Sequence, residues 1–303
     1  MVFTKIAIAG GSGSLGRTVV KALLDAKFDV TILSRSPYPD HDLLPGTKFQ
    51  CVDYTSIDSL VEALEDQDAL VNTLAYGRIP EEVHIRLIQA AQKADLKRFI
   101  PSEFGSDTTN EFVAKHPILG GKAAITKRLQ EICSQQPEDN STLTWTAVIN
   151  GPFLDWGLEN KFLMNLQGPS TPIYNGGNGL WSTTTLAGTG RAVAGILMHP
   201  SETKNRYVFV AEAELSQNIL LDMSGMKDQI TLENMKSKDL EAAAYEAIQR
   251  NPPDHQMFAV NLIRQVIFSE EYGNRFEKLD NELLGVNMLS EAEIIELVKR
   301  YSG

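Results

Sequence analysis

The sequence predicts an α/β fold, a doubly wound parallel sheet followed by a smaller, mostly helical C-terminal lobe. Three observations point there. Short β-rich apolar runs alternate with amphipathic helical stretches up to Asn150. A glycine cluster, Gly10-Gly11-Ser12-Gly13-Ser14-Leu15-Gly16, stands between the first run and the first helix. Beyond Asn150 the alternation stops and a different texture begins.

The elements follow in order. Lys5 to Ala9 reads as a strand, and Leu15 to Ala26 as a helix with Leu15, Val19, Val20, Leu23 and Leu24 on one face. Asp29 to Leu33 and Lys48 to Val52 are strands. Ser56 to Leu64 is helical, with Ser56 or Asp58 available as a cap. Ala69 to Leu74 is the fourth strand. Pro80-Glu81-Glu82 opens a helix, since proline is tolerated in the first turn and carboxylates suit the positive end. Arg98 to Ile100 is the fifth strand, Lys122 to Cys133 a helix, and Thr142 to Asn150 the sixth strand. Strands separated by helices of this length imply right-handed crossovers and parallel pairing.

Residues 151 to 182 are rich in Gly, Pro, Asn and aromatics and read as loops. Thr189 to Met198 is a helix, Arg206 to Val210 a strand, and residues 215 to 303 are mostly helical. The expected division is 1–155 for the sheet domain, with segments near 185–212 returning to it, and 156–303 for the smaller lobe.

Composition narrows the function classes. The chain has 303 residues, 28 basic and 39 acidic, for a net charge of −11. A general nucleic-acid binder needs a basic stripe, so that class is excluded, as is an anionic membrane surface. No run approaches a membrane span and no signal peptide is read, so a cytoplasmic protein is expected. Cys51 and Cys133 lie outside any CxxC spacing and are expected to be two buried free thiols. His41, His84, His116, His199 and His255 show no metal-ligand spacing, so no metal is expected. His116 is read as a loop histidine. No GxSxG elbow is present, which disfavours a hydrolase.

The glycine cluster sits where a Rossmann-type fold holds a pyrophosphate. Glycine permits close backbone approach, and the helix N-terminus offers free N–H groups. After the second strand stands Leu33-Ser34-Arg35-Ser36, with no acid for a ribose 2′-hydroxyl. A guanidinium suits a 2′-phosphate, so Arg35 with Ser34 favours NADPH. Ligands in such sheets sit beyond the C-terminal strand ends. That places Asp53 and Tyr54 near the adenine, and Thr73 and Ala75 near the middle of the cofactor. Ser102, Glu103, Phe104, Asn150, Pro152 and Phe153 fall near the nicotinamide.

Arg98-Phe99-Ile100-Pro101-Ser102-Glu103-Phe104-Gly105 resembles a specific family signature. With the glycine cluster, Arg35 and Leu283-Leu284-Gly285-Val286, it resembles the NmrA-like, isoflavone reductase-like atypical short-chain dehydrogenases. The segment from Asn150 to Trp156 looks more like fungal than plant members. The family's catalytic lysine opens a KAxxRR-like helix, matched by Lys122-Ala123-Ala124-Ile125-Thr126-Lys127-Arg128. The resemblance implies that Lys122 contacts the nicotinamide ribose and acts as general acid or base.

Two departures stand out. Four residues before Lys122 is Ile118, so no Tyr-xxx-Lys dyad exists; Tyr76 and Tyr174 are the remaining candidate proton donors. Plant members also carry a lysine shortly after the arginine, and here Pro37 to Asp42 has none.

Trp156, Phe162, Met164, Tyr174 and Trp181 fall in the irregular stretch and are the candidate substrate-binding residues. The expected activity is NADPH-dependent reduction of a small aromatic or alkaloid-like metabolite, by a monomer or homodimer. The acceptor would be a quinone methide, imine or conjugated alkene. Two alternatives stay open: a non-enzymatic NADP(H) sensor, and a non-redox cyclisation on the same fold.

Overall fold

The computed structural model describes residues 2–36, 44–135 and 143–302. The sheet domain begins β1 Lys5–Ala9, α1 Ser14–Asp25, β2 Asp29–Ser34, β3 Lys48–Cys51, α2 Ile57–Leu64, β4 Ala69–Asn72 and α3 Glu81–Lys93. It continues with β5 Arg98–Ile100, α4 Glu111–Ala114, α5 Gly120–Ser134 and β6 Thr144–Ile149. Then come α6 Leu154–Glu159, β7 Ser170–Tyr174, β8 Trp181–Thr183, α7 Leu186–Met198, β9 Arg206–Phe209 and β10 Ala213–Leu215. The chain closes with α8 Gln217–Ser224, β11 Thr231–Met235, α9 Asp239–Gln249, α10 His255–Phe268, α11 Asn281–Leu284 and α12 Glu291–Arg300.

Seven strands form one sheet in the order β3-β2-β1-β4-β5-β6-β9, every pairing parallel. The chain leaves β1 toward β2 and β3 on one side, then returns to β4, β5 and β6 on the other. The switch point therefore lies between β1 and β4, and in sheets of this kind a ligand crevice forms there, at the C-terminal ends.

The period-two alternation of β1 divides the core. Ile6 and Ile8 face α1 and α7, against Val19, Leu23, Val193 and Ile196. Ala7 and Ala9 face the other side, which holds Leu60 of α2, Leu87 of α3 and Leu129 of α5. A third cluster, with Leu154, Leu220, Phe268 and Val298, fills the C-terminal elements. The late segment near 185–212 joins the sheet domain physically: β9 pairs with β6, and α7 packs along α1.

Three expectations need correction. Residues 151–182 are not only loops: α6, β7 and β8 lie there. Their strands make two-stranded sheets, β7 with β11 and β8 with β10, whose partners lie about 30 to 60 residues downstream. No local periodicity reports such pairing. The cysteines are free but not both buried: Cys51 is exposed on edge strand β3, and Cys133 is half-buried. Finally, α7 begins at Leu186 rather than Thr189, because the Thr185 hydroxyl accepts from the Gly188 N–H. Thr142, His41 and the stretch from Pro37 to Asp42 lie outside the described residues.

Candidate active site

The glycine cluster turns directly out of β1. Gly10 has φ +85°, and a Cβ there would stand 2.9 Å from Thr73 Oγ1 and 3.0 Å from the Leu74 nitrogen. A Cβ on Gly16 would run into the Gly10 carbonyl, so both positions require glycine. Gly13 is the N-cap of α1 and supplies no side-chain cap, which leaves the helix N–H groups of Ser14 and Leu15 to face outward. Such a turn has the room and the free donors that a pyrophosphate would need. Arg17, one turn on, donates from Nε to the Ser12 carbonyl at 3.0 Å and sets a cation on the same loop. Sequence reading missed it because nothing in the GxxGxxG pattern marks that position.

The second strand end forms a corner. Ser34 accepts from the Ser36 N–H at 3.2 Å, and its carbonyl accepts from Val52. Arg35 is exposed and close enough to Tyr54 to oppose the rise that burial imposes on its phenol. Tyr54 itself is buried, donating to the Leu33 carbonyl at 3.1 Å. The exposed Asp53 accepts from the Thr55 hydroxyl and N–H, which hold its carboxyl below the usual range.

At the switch point Thr73 donates from both N–H and hydroxyl to the Ala9 carbonyl, each at 2.9 Å. Leu74 N–H donates to Asn72 Oδ1 at 3.1 Å. That bond fixes the amide, so Asn72 Nδ2 is the donor toward His84 Nδ1 at 2.9 Å. His84 is buried, and burial together with nearby Lys122 pulls its pKa down to about 4. Ala75 opens a tight turn, its carbonyl accepting from Arg78 and Ile79. The turn lays Tyr76 across the start of α5, where a Cβ on Gly121 would overlap the phenol hydroxyl. Tyr174, the other candidate donor, is stacked on Phe268 in the C-terminal core, 4.7 Å between centroids.

The segment after β5 is pinned by backbone. Glu103 N–H donates to the Pro101 carbonyl at 2.8 Å, Ser102 Oγ donates to the Leu74 carbonyl at 2.7 Å, and Phe104 has φ +28°. The Gly105 carbonyl accepts from the N–H groups of Asn150 and Gly151. The side chains of Glu103 and Phe104 turn inward on opposite sides of the sheet. What this loop presents to the crevice is Ser102 and its own backbone.

Lys122 stands in the first turn of α5, and its Nζ donates to the Glu103 carbonyl. Burial pulls the amine below the ordinary lysine value, with Glu103 opposing. Asn150 is fully buried; its Nδ2 donates to the Gly151 carbonyl while Oδ1 has no partner among the described residues. Pro152 accepts from Thr183 Oγ1 at 2.7 Å, and Phe153 bridges to Thr184.

The five candidate substrate residues separate. Trp156 and Phe162 are partly exposed, their rings 5.8 Å apart. Met164, Tyr174 and Trp181 are buried in the third core cluster. Tyr174 and Trp181 also border a cavity of about 910 Å³, with Leu180, Phe268 and Phe276 among its walls and the Glu214–Arg275 ion pair beside them. His116 lies in the loop between α4 and α5 and is buried there, edge-on to Tyr272 at 5.8 Å.

Residues 10–172 match a family model described as NAD(P)H-binding. The chain is 34 % identical to an oxidoreductase, aprR, of Aspergillus flavus, over 96 % of this chain and 97 % of that one. It is 29 % identical to an isoflavone reductase homolog of Solanum tuberosum, over 42 % of each. In structure it is similar to the leucoanthocyanidin reductase–NADPH complex of Vitis vinifera, with a TM-score of 0.76, 20 % identity, and 98 % and 99 % of the two chains covered.

Proposed function

The chain belongs to the NAD(P)H-binding, isoflavone reductase-like oxidoreductases, and on that premise we propose that it is an NADPH-dependent reductase of a small aromatic metabolite, with Lys122 as its proton carrier. One observation carries this reading. The Lys122 amine is held on the Glu103 carbonyl, beside the crevice at the C-terminal strand ends, below the protonation range of a surface lysine.

The residues fit the cofactor. Gly10 and Gly16 leave the space that a diphosphate needs, and the α1 N-terminus with Arg17 supplies positive potential in an acidic chain. Arg35, exposed with no carboxylate in Ser34 or Ser36 beside it, supports a 2′-phosphate and therefore NADPH over NADH. When bound, the cofactor supplies the hydride.

The chain's own task is then positioning and proton handling. Ser102, Asn150 and the Gly105–Gly151 backbone shape the floor on which the nicotinamide end would rest. Lys122 gives up its proton to the oxygen or nitrogen that gains charge as the electrophilic carbon of the substrate is reduced. An amine pulled toward neutral pH does this faster than one at its ordinary value. Trp156 and Phe162 suit a flat substrate, in keeping with relatives named for isoflavone and leucoanthocyanidin.

The test is NADPH oxidation across a panel of quinone methides, imines and conjugated alkenes, with Lys122→Ala alongside. The reading expects turnover with at least one acceptor and a fall of about 10²-fold or more in the variant. NADPH binding without turnover on any acceptor would favour a sensor instead. Product formation without NADPH consumption would favour a cyclisation.

A further inference from the structure

The Glu103 carboxylate has no obvious reason to be where it is. The residue is 1 % exposed, and its side chain points away from the crevice into the space beneath α5. Oε1 accepts from Thr126 Oγ1 at 2.5 Å, one helical turn beyond Lys122. Oε2 is buried and makes no hydrogen bond of good geometry among the described residues, although the Thr108 hydroxyl stands near enough to favour the charged carboxylate. A carboxylate kept in this condition is costly, and an apolar side chain of the same length would fill the space without that cost.

The surroundings show what opposes it. From α5, Lys122 faces it, with its Nζ on Glu103's own carbonyl. Asp107, on the loop after β5, adds negative charge. From β9 comes Tyr207, which burial pushes up to about 12, so it stays neutral. From α3, His84 faces Lys122 and is neutral above about pH 4. Burial pushes the Glu103 carboxyl above its usual range, and Lys122, the cation of this group, opposes that rise together with the hydroxyls of Thr126 and Thr108.

We propose that Glu103 is the positioning residue of Lys122: its carbonyl fixes where the amine stands, and its carboxylate sets the pH at which the amine gives up its proton. This rests on the reading of Lys122 as proton carrier. Glu103 and Lys122 together hold one proton more tightly than a lone lysine would in the same site. Burial lowers the amine's affinity for a proton, and the carboxylate restores part of it. The lysine is thus kept charged enough to donate yet easy to discharge.

Competitive acetylation with acetic anhydride, read by peptide mass spectrometry across pH 6 to 11, follows Lys122 without needing a substrate; the exposed Lys127 is the internal reference. Glu103→Gln keeps the length and the Thr126 hydrogen bond but removes the charge. The midpoint for Lys122 is expected to fall by about 1 pH unit or more. Glu103→Asp keeps the charge and is expected to lie nearer wild type. A merely structural role gives the opposite order, because Gln keeps the shape better than Asp. A midpoint in Glu103→Gln within about 0.3 unit of wild type overturns the proposal.

A second arm leaves Glu103 untouched. In Lys122→Met the carboxylate loses its cation, and the infrared band of a protonated carboxyl should grow at neutral pH. Its absence counts equally against the proposal. With a substrate in hand, Glu103→Gln should also shift the high-pH limb of kcat to lower pH. If Lys122→Ala keeps turnover while the acetylation midpoint still moves, the coupling stands and the proton-carrier reading fails.

Discussion

The hydroxyl of Tyr76 occupies the place where a side chain on Gly121 would begin. The two residues come from different elements, the turn after β4 and the first turn of α5, and Lys122 follows Gly121 directly. Alanine at 121 would gain about 1 kcal/mol of helix propensity. It would also drive out the Tyr76 ring, an overpacking cost of about 1–3 kcal/mol. Gly121→Ala should therefore lower the melting temperature in the native background. With Tyr76→Ala already present the ring is gone, and the same substitution should raise it. Thermal melts of the four proteins in this cycle decide the matter; the same sign in both backgrounds contradicts the contact.

The elements of the sheet domain were legible because their signals are local. Glycines at 10 and 16 mark a backbone that must pass close to itself, and Pro80-Glu81-Glu82 marks a helix start. Helix ends were harder. After α1, α2 and α3 the chain turns through Lys27, Asp66 and Asp95 at φ +68°, +62° and +53°, where no glycine announces the turn. The candidate site was legible in its backbone and less so in its side chains. Nothing along the sequence says that Glu103 points inward to Thr126 or that Tyr76 crosses Gly121. Both contacts join residues more than twenty positions apart and are set by sheet order. The same holds for Tyr174 and Trp181, whose aromatic character suggests a pocket and which both pack against Phe268 and border a cavity.

Arg35 should decide between the two nicotinamide cofactors. It is exposed at the end of β2, so its removal takes away little packing. Arg35→Ala is expected to weaken NADPH binding by about tenfold or more, which is about 1.4 kcal/mol, and to leave NADH nearly unchanged. Titration of the intrinsic fluorescence with each cofactor measures both. Equal losses for NADPH and NADH would mean that Arg35 supports the fold of the corner and not the 2′-phosphate.

Acid sensitivity should run through His84. In the fold this ring resists protonation down to about pH 4, whereas in the unfolded chain it titrates near 6.5. Between those values the unfolded state binds the extra proton, so stability is fully present above about pH 6.5 and is lost as pH falls toward 4. His116 is shifted in the same direction by burial. Urea unfolding at a series of pH values should show a loss of roughly 3 kcal/mol from His84 over that window. His84→Gln should flatten the slope there while leaving the carboxylate-driven loss at lower pH. An unchanged slope would place the acid sensitivity elsewhere.

Arg98 is buried yet faces no carboxylate among its hydrogen-bond partners. Nε donates to Thr144 Oγ1 at 2.8 Å, Nη1 to Thr146 Oγ1 at 2.7 Å and Thr203 Oγ1 at 3.0 Å, and Nη2 to the Pro200 carbonyl at 2.6 Å. Burial pulls the guanidinium down to about 10, so it remains charged at neutral pH. It thereby ties β5 to β6 and to the turn beyond α7. Arg98→Met removes every one of these bonds and strands their acceptors, at an expected cost of about 3–5 kcal/mol. Lysine should not rescue it, because a single ammonium cannot reach acceptors spread around a planar fork. The measurement is the urea midpoint at unchanged m-value. In whatever fraction folds, NADPH affinity should stay near wild type, because Arg98 lies at the N-terminal end of β5, opposite the crevice. A loss of affinity at full stability would show instead that the Arg98 network holds the Pro101–Gly105 segment in register for the cofactor.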